Sequence, residues 1–116
     1  MNETDLSSLR AAIAIERDRV AEQIANLERN FSEIVDSAEL ASPDDEHDPE
    51  GVTIAYERAQ VSGLLQQARD DLVALDAAID RIDEGNALTC AICGGPIALE
   101  RLLALPGTST CINCAS

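Results

Sequence analysis

Lysine and tryptophan are absent from this chain of 116 residues, and Phe31 and Tyr56 are its only aromatic side chains. A core without aromatic bulk has to be built from Ala, Leu, Ile and Val, a palette that suits a thin helical seam better than a rounded interior. An elongated molecule is the expectation. Without lysine, all eight basic residues are arginine; they face 22 acidic ones, and the net charge is -14. Such a charge repels phosphate backbones, which argues against direct DNA binding and points to a basic protein surface as partner. No stretch approaches the length of a membrane span, and the opening Met1-Asn2-Glu3-Thr4-Asp5 is acidic where a signal peptide is basic. A soluble cytoplasmic protein is expected, with no membrane association.

Glycine and proline are missing before Pro43, so nothing interrupts a helix over that stretch. Leu6, Ile13, Val20, Leu27, Ile34 and Ala41 recur every seven residues, and a second apolar row begins at Leu9, lapses at Glu16 and resumes at Ile24, Phe31 and Ala38. Together they form a stripe on one helix that Thr4 or Asp5 can cap. A helix from there to Ala41 is about 57 Å long, too long for a compact domain of this size. After Ser42-Pro43 the pattern returns, with Leu65, Leu72 and Ile79 in one row and Ile54, Val61, Ala68, Leu75 and Ile82 in the other. Asp48-Pro49 reads as an N-cap followed by proline in the first helical position, and Gly85-Asn86 reads as the stop. Two long amphipathic helices with a short connection imply an antiparallel coiled-coil hairpin over residues 1–86. Gly63, inside the second helix, costs about 1 kcal/mol relative to alanine and suggests a close approach or a slight bend there.

The hairpin tip, at about residues 42–51, concentrates acids: Asp44, Asp45, Glu46, Asp48 and Glu50. Solvation and capping account for acids at a turn. A calcium loop of the EF-hand kind does not fit, because a loop starting at Asp44 would need glycine where Pro49 stands. A catalytic carboxylate pair would lack walls to exclude water. A divalent ion held jointly with a partner is the better functional reading, since carboxylates on a thin probe can enter another protein's cleft. His47, the single histidine, reads as a solvated turn residue. Tyr56 falls on the outer side of the second helix, as an incidental exposed aromatic or a candidate partner contact.

Cysteine is missing until Cys90, and then all four cysteines fall in Cys90-Ala91-Ile92-Cys93 and Cys111-Ile112-Asn113-Cys114, with seventeen residues between the two pairs. That spacing brings four thiolates onto one tetrahedral Zn²⁺. A catalytic zinc keeps a position open for water, whereas four cysteines at Cys90, Cys93, Cys111 and Cys114 fill the ion, so one structural zinc is expected. In a segment too short for its own core, metal binding supplies about 10 kcal/mol of folding free energy. Two disulfides, or a redox-active C-x2-C, are the competing readings. Between the pairs, Leu99 to Leu105 reads as a short helix stopped before Pro106. Arg101 within it is a candidate partner contact, or the ion-pair partner of Glu100 or of the acidic second helix. The fold class is all-α: a hairpin followed by a four-cysteine zinc finger over residues 87–116.

Arg81-Ile82-Asp83-Glu84-Gly85, Cys90-x2-Cys93-Gly94-x-Pro96-Ile97, Leu99-Glu100-Arg101-Leu102, Ala104-x-Pro106 and Cys111-x2-Cys114 together resemble the DksA/TraR family of C4 zinc-finger proteins. The resemblance is strongest over residues 80 to 114, and the hairpin before them is similar to the family's coiled coil in position and length. It implies a transcription regulator, not an enzyme. The partner it implies is RNA polymerase, with the coiled coil inserted through the secondary channel so that acidic tip residues approach the active-site magnesium. Asp45 and Asp48 match the D-x-x-D spacing of the family's tip motif. The alanine that usually follows two residues after the second aspartate is Glu50 here, between Pro49 and Gly51, which leaves N-capping as the other role for Asp48. Members that bind ppGpp use basic side chains near the hairpin base; the stretch from Asp70 to Asp80 has none, so the ppGpp site is not carried over. Two residues follow Cys114, so the C-terminal helix that many members use against polymerase is not expected. The rival reading is a zinc-stabilised coiled-coil adaptor for a different protein, with a thiol oxidoreductase third.

Overall fold

The computed structural model describes residues 2–40 and 49–115. Three helices account for most of them: α1 (Glu3–Leu40), α2 (Pro49–Asp83) and α3 (Leu99–Ala104). Among the described residues there is no strand, and the one isolated bridge joins Thr89 and Pro96. The expected all-α class holds.

Helix ends follow local chemistry, with two corrections. Asn2, rather than Thr4 or Asp5, caps α1: its side-chain oxygen accepts the Asp5 backbone N–H at 2.8 Å. That leaves Glu3 and Asp5 in the first turn, where the helix dipole favours negative charge. Pro49 opens α2 as expected. At its far end the Asn86 N–H donates to the Arg81 carbonyl at 3.0 Å and the Gly85 N–H to that of Ile82 at 3.1 Å. These are the two bonds of a Schellman stop, and Gly85 adopts the φ of +82° that the stop requires. The second correction is that α3 ends at Ala104, one residue early, because Leu105 precedes Pro106 and is forced out of the helical region, to φ -129° and ψ 74°.

The chain divides into two compact units, Met1–Val20 with Asp71–Ser116, and Ala21–Asp70. In the first, Leu9, Ile13 and Val20 of α1 are almost fully buried, alongside Leu75, Ala78 and Ile82 of α2 and Ala87, Ile97 and Leu102 beyond it. Each such aliphatic side chain contributes roughly 1.5–3 kcal/mol when fully removed from water, less for alanine. Ala78 belongs to neither apolar row. It is buried because Ala87, Leu102 and Pro106 meet it around a small residual gap. Arg10 pairs with Asp83 at 2.6 Å and Arg17 with Asp76 at 2.7 Å, so α1 ascends as α2 descends. Both pairs are half exposed; they specify register and add about 0–1 kcal/mol each.

In the second unit Leu27, Leu65 and Ala68 are buried, and Glu28 pairs with Arg69 at 3.4 Å. Phe31 is only half-buried, beside Ala55, Arg58, Ala59 and Ser62. The close approach expected at Gly63 is not found. α2 runs through it unbroken, and a Cβ built there meets nothing within 4 Å, so no close approach explains it. Gly63→Ala should therefore raise the stability of the chain by about 0.5–1 kcal/mol in urea denaturation, through the unfolded state. An unchanged or lowered midpoint would reveal a contact at this face.

Candidate metal centre

The centre is assembled from two short turns. At the first, the Cys90 N–H donates to the Gly95 carbonyl at 2.8 Å and the Gly94 N–H returns to the Cys90 carbonyl at 3.0 Å. Gly94 has a φ of +73°, a conformation that side-chain-bearing residues rarely adopt. At the second, the N–H groups of Cys114 and Ala115 both donate to the Cys111 carbonyl, at 3.1 and 3.0 Å. The turns are tied together where the Ala91 N–H donates to the Ser109 carbonyl at 2.9 Å.

This brings the sulfurs of Cys90, Cys93, Cys111 and Cys114 to within 4.8 Å of one another. All four are free thiols, and their mutual spacing favours one metal ion over two disulfides. A tetrahedral zinc with bonds of about 2.3 Å has sulfur–sulfur edges of about 3.8 Å. The Sγ atoms of Cys93 and Cys111 are 3.7 Å apart. The donor set and spacing fit one zinc ion held by four cysteines, with no place left for a substrate. Cys90 and Cys111 are buried, Cys114 is half-buried and Cys93 is exposed, with the Gly95 N–H directed at its sulfur at 3.4 Å.

As free thiols, Cys90, Cys111 and Cys114 are shifted in opposite directions. The Cys93 backbone N–H, and then that of Cys111, draw the Cys90 thiol down to about 6. The Cys114 N–H likewise lowers Cys111. Cys114 is pushed up to about 12 by its neighbours Cys111 and Cys93, to which it serves as proton donor. Metal coordination requires four thiolates, so protons compete with zinc and the competition turns against the metal as pH falls. Zinc retained at neutral pH should be released progressively as pH falls, with loss of structure in residues 84–116. A chromogenic chelator assay across pH checks this; retention unchanged into strong acid would refute thiolate coordination.

Two arginines hold the frame, and sequence reasoning missed one of them. The Arg81 guanidinium donates to the carbonyls of Asn86 at 3.2 Å, Ser109 at 3.3 Å and Thr89. One side chain from the last turn of α2 thereby reaches the entry to the first knuckle and the approach to the second. Only its place beside the helix stop hinted at a role, and a cation there reads first as a dipole partner. Arg101 is half-buried, and its Nε–H donates to the Thr110 carbonyl at 2.9 Å, one residue before Cys111. The expected ion pair with Glu100 or α2 is not formed among the described residues. Arg81→Met keeps the alkyl stem and removes the hydrogen bonds to three carbonyls. Zinc affinity should fall about tenfold while helicity is retained; an unchanged affinity would show that the knuckles hold each other without the clamp.

Of the other candidates, Tyr56 is 69% exposed on α2. Asp45, His47 and Asp48 lie outside the described residues. No helix among the described residues is long and apolar enough to cross a membrane.

Residues 84–116 match the model of the prokaryotic dksA/traR C4-type zinc finger. No curated protein sequence matches the chain. Among solved structures, that of transcription factor DksA2 from Pseudomonas aeruginosa is similar at a TM-score of 0.79 and 23% identity, over 97% of this chain and 81% of that one. That likeness establishes a shared fold, and the C-terminal segment carries the four-cysteine zinc finger.

Proposed function

We propose that this protein is a non-enzymatic regulator of transcription that binds RNA polymerase and presents Asp45 and Asp48, which fall between α1 and α2 in the sequence, to the secondary channel. The observation that carries the reading is the pairing of a dksA/traR zinc finger at 84–116 with a fold shared over 97% of the chain with a transcription factor. Charge agrees with it. Every acidic residue but Glu100 lies in residues 1–84, so the helical part repels nucleic acid and suits a basic protein cleft. The zinc finger's role is architectural: four cysteines close the ion to substrate. Tyr56, and the outer edge of Arg101, are the remaining candidate contacts with the partner.

In this mechanism the tip carboxylates perturb the polymerase's metal or neighbouring mobile elements and shift the stability of initiation complexes. The combined variant Asp45→Asn and Asp48→Asn should abolish the effect on a single-promoter transcription assay while polymerase affinity stays within about threefold, as expected when a contact acts on function more than on binding. Full activity in that variant would refute the tip assignment. Failure of the zinc-loaded protein to bind polymerase at micromolar concentration would favour the adaptor reading.

A further inference from the structure

Apolar burial is shared unevenly along the two long helices. In the unit of residues 21–70 the buried side chains are Leu27, Leu65 and Ala68, all close in sequence to its ends at Ala21 and Asp70. Two segments of that unit, 29–37 of α1 and 52–64 of α2, face each other where Phe31 meets Ala55, Ala59 and Ser62. Among their described residues none is buried: Phe31, Ile34, Ile54 and Val61 are half-buried, and Val52, Tyr56 and Leu64 are exposed. The ion pairs that cross between α1 and α2 among the described residues are Arg10 with Asp83, Arg17 with Asp76 and Glu28 with Arg69, and each lies outside both segments. Helix preference weakens over the same residues. Ile34-Val35-Asp36-Ser37, Val52-Thr53-Ile54 and Val61-Ser62-Gly63 are runs of weak helix formers, whereas Leu65-Gln66-Gln67-Ala68-Arg69 is a run of strong ones. The Ser37 hydroxyl also donates back to the Glu33 carbonyl at 2.9 Å, a bond that competes with the helix backbone.

We propose that segments 29–37 and 52–64 form a separate cooperative unit, which opens reversibly while the unit of residues 1–20 and 71–116, with its metal module, stays folded. Helices in proteins owe most of their stability to packing, and these two segments have little of it and weak local preference besides. Opening them exposes side chains that are only half covered when closed, whereas opening the first unit exposes Leu9, Ile13, Val20, Leu75 and Ile82. Proteins open in such cooperative pieces, the least packed at the lowest free energy. The arrangement is a conformational device: the two segments can yield to a partner's surface while the four-cysteine module keeps its shape. A partner that binds them closed draws the equilibrium toward the closed form. The inference goes beyond the regulatory reading, rests on packing and helix preference, and holds whatever the partner is.

The test is native-state hydrogen exchange of the zinc-loaded full chain, read by NMR in urea concentrations well short of the global midpoint. Relative to their intrinsic rates, the amides of Phe31, Ile34, Ala59 and Val61 should exchange at least about tenfold faster than those of Ile13, Val20, Leu75 and Ala78. The four should also share one urea dependence across both helices, shallower than that of the first unit because less surface is exposed. Ile13→Val should speed exchange in the first unit by about two- to tenfold and leave the two segments unchanged. Gly63→Ala should slow exchange in the segments by about two- to fivefold. Both substitutions are mild, and zinc content and helicity report that each variant is folded. Equal protection throughout, or segments that follow the first unit in Ile13→Val, would overturn the proposal by showing a single cooperative fold. Unrelated urea dependences in the two segments, or no response to Gly63→Ala, would overturn it by showing that each helix frays alone. Polymerase takes no part in the experiment, so its outcome is separate from that of the regulatory reading.

Discussion

Four sulfurs drawn from two turns seventeen residues apart have to meet near the corners of one tetrahedron, and much of the first compact unit is arranged so that they can. Metal–sulfur bonds tolerate little error, whereas turns of four residues have no core to hold them in place. The frame is therefore built from backbone hydrogen bonds within each turn, and the bond from the Ala91 N–H to the Ser109 carbonyl crosses between the turns. Cys90 and Cys111, the first cysteine of each pair, are also counted among the buried residues of this unit together with Ala87, Ile97 and Leu102. Metal site and apolar core are one construction here, so loss of the ion removes support from both.

The two arginine clamps show how the rest of that frame is satisfied. A segment with so little regular structure exposes many carbonyl groups, and buried or half-buried ones need donors. Arg81 supplies three carbonyls and Arg101 a fourth. Arginine suits the task better than lysine, because a planar fork presents several donors in fixed directions. In a chain where 22 acids compete for eight arginines, these two are engaged by backbone rather than by carboxylates. That allocation separates the two chemistries of the molecule: acidic helices that suit a basic partner, and a nearly uncharged metal module that holds shape.

Helix existence, the stop at Gly85 and the identity of the four ligands were legible from residue order alone. The reasons are local: heptad rows report which face is covered, a glycine at positive φ ends a helix, and two C-x2-C turns with the right spacer admit one kind of ion. The cap at Asn2 was misplaced by two or three residues because Asn, Thr and Asp all accept the same bond. The end of α3 was misplaced by one, since the effect of Pro106 falls on the residue before it.

What the sequence by itself determined is thus everything that depends on neighbours along the chain: two long amphipathic helices, a break between them, a closed four-cysteine site and a charge that disfavours nucleic acid. The tertiary structure alone decided which side chains from distant positions meet. It placed Ala78 under the metal module and left Gly63 in open space. It directed Arg81 to carbonyls eight and twenty-eight residues away, and it turned the apparent defect at Glu16 into one wall of a groove shared with Asp71. Such outcomes depend on three-dimensional distance and on competition among partners for each donor, and a periodic pattern in one dimension carries no record of either.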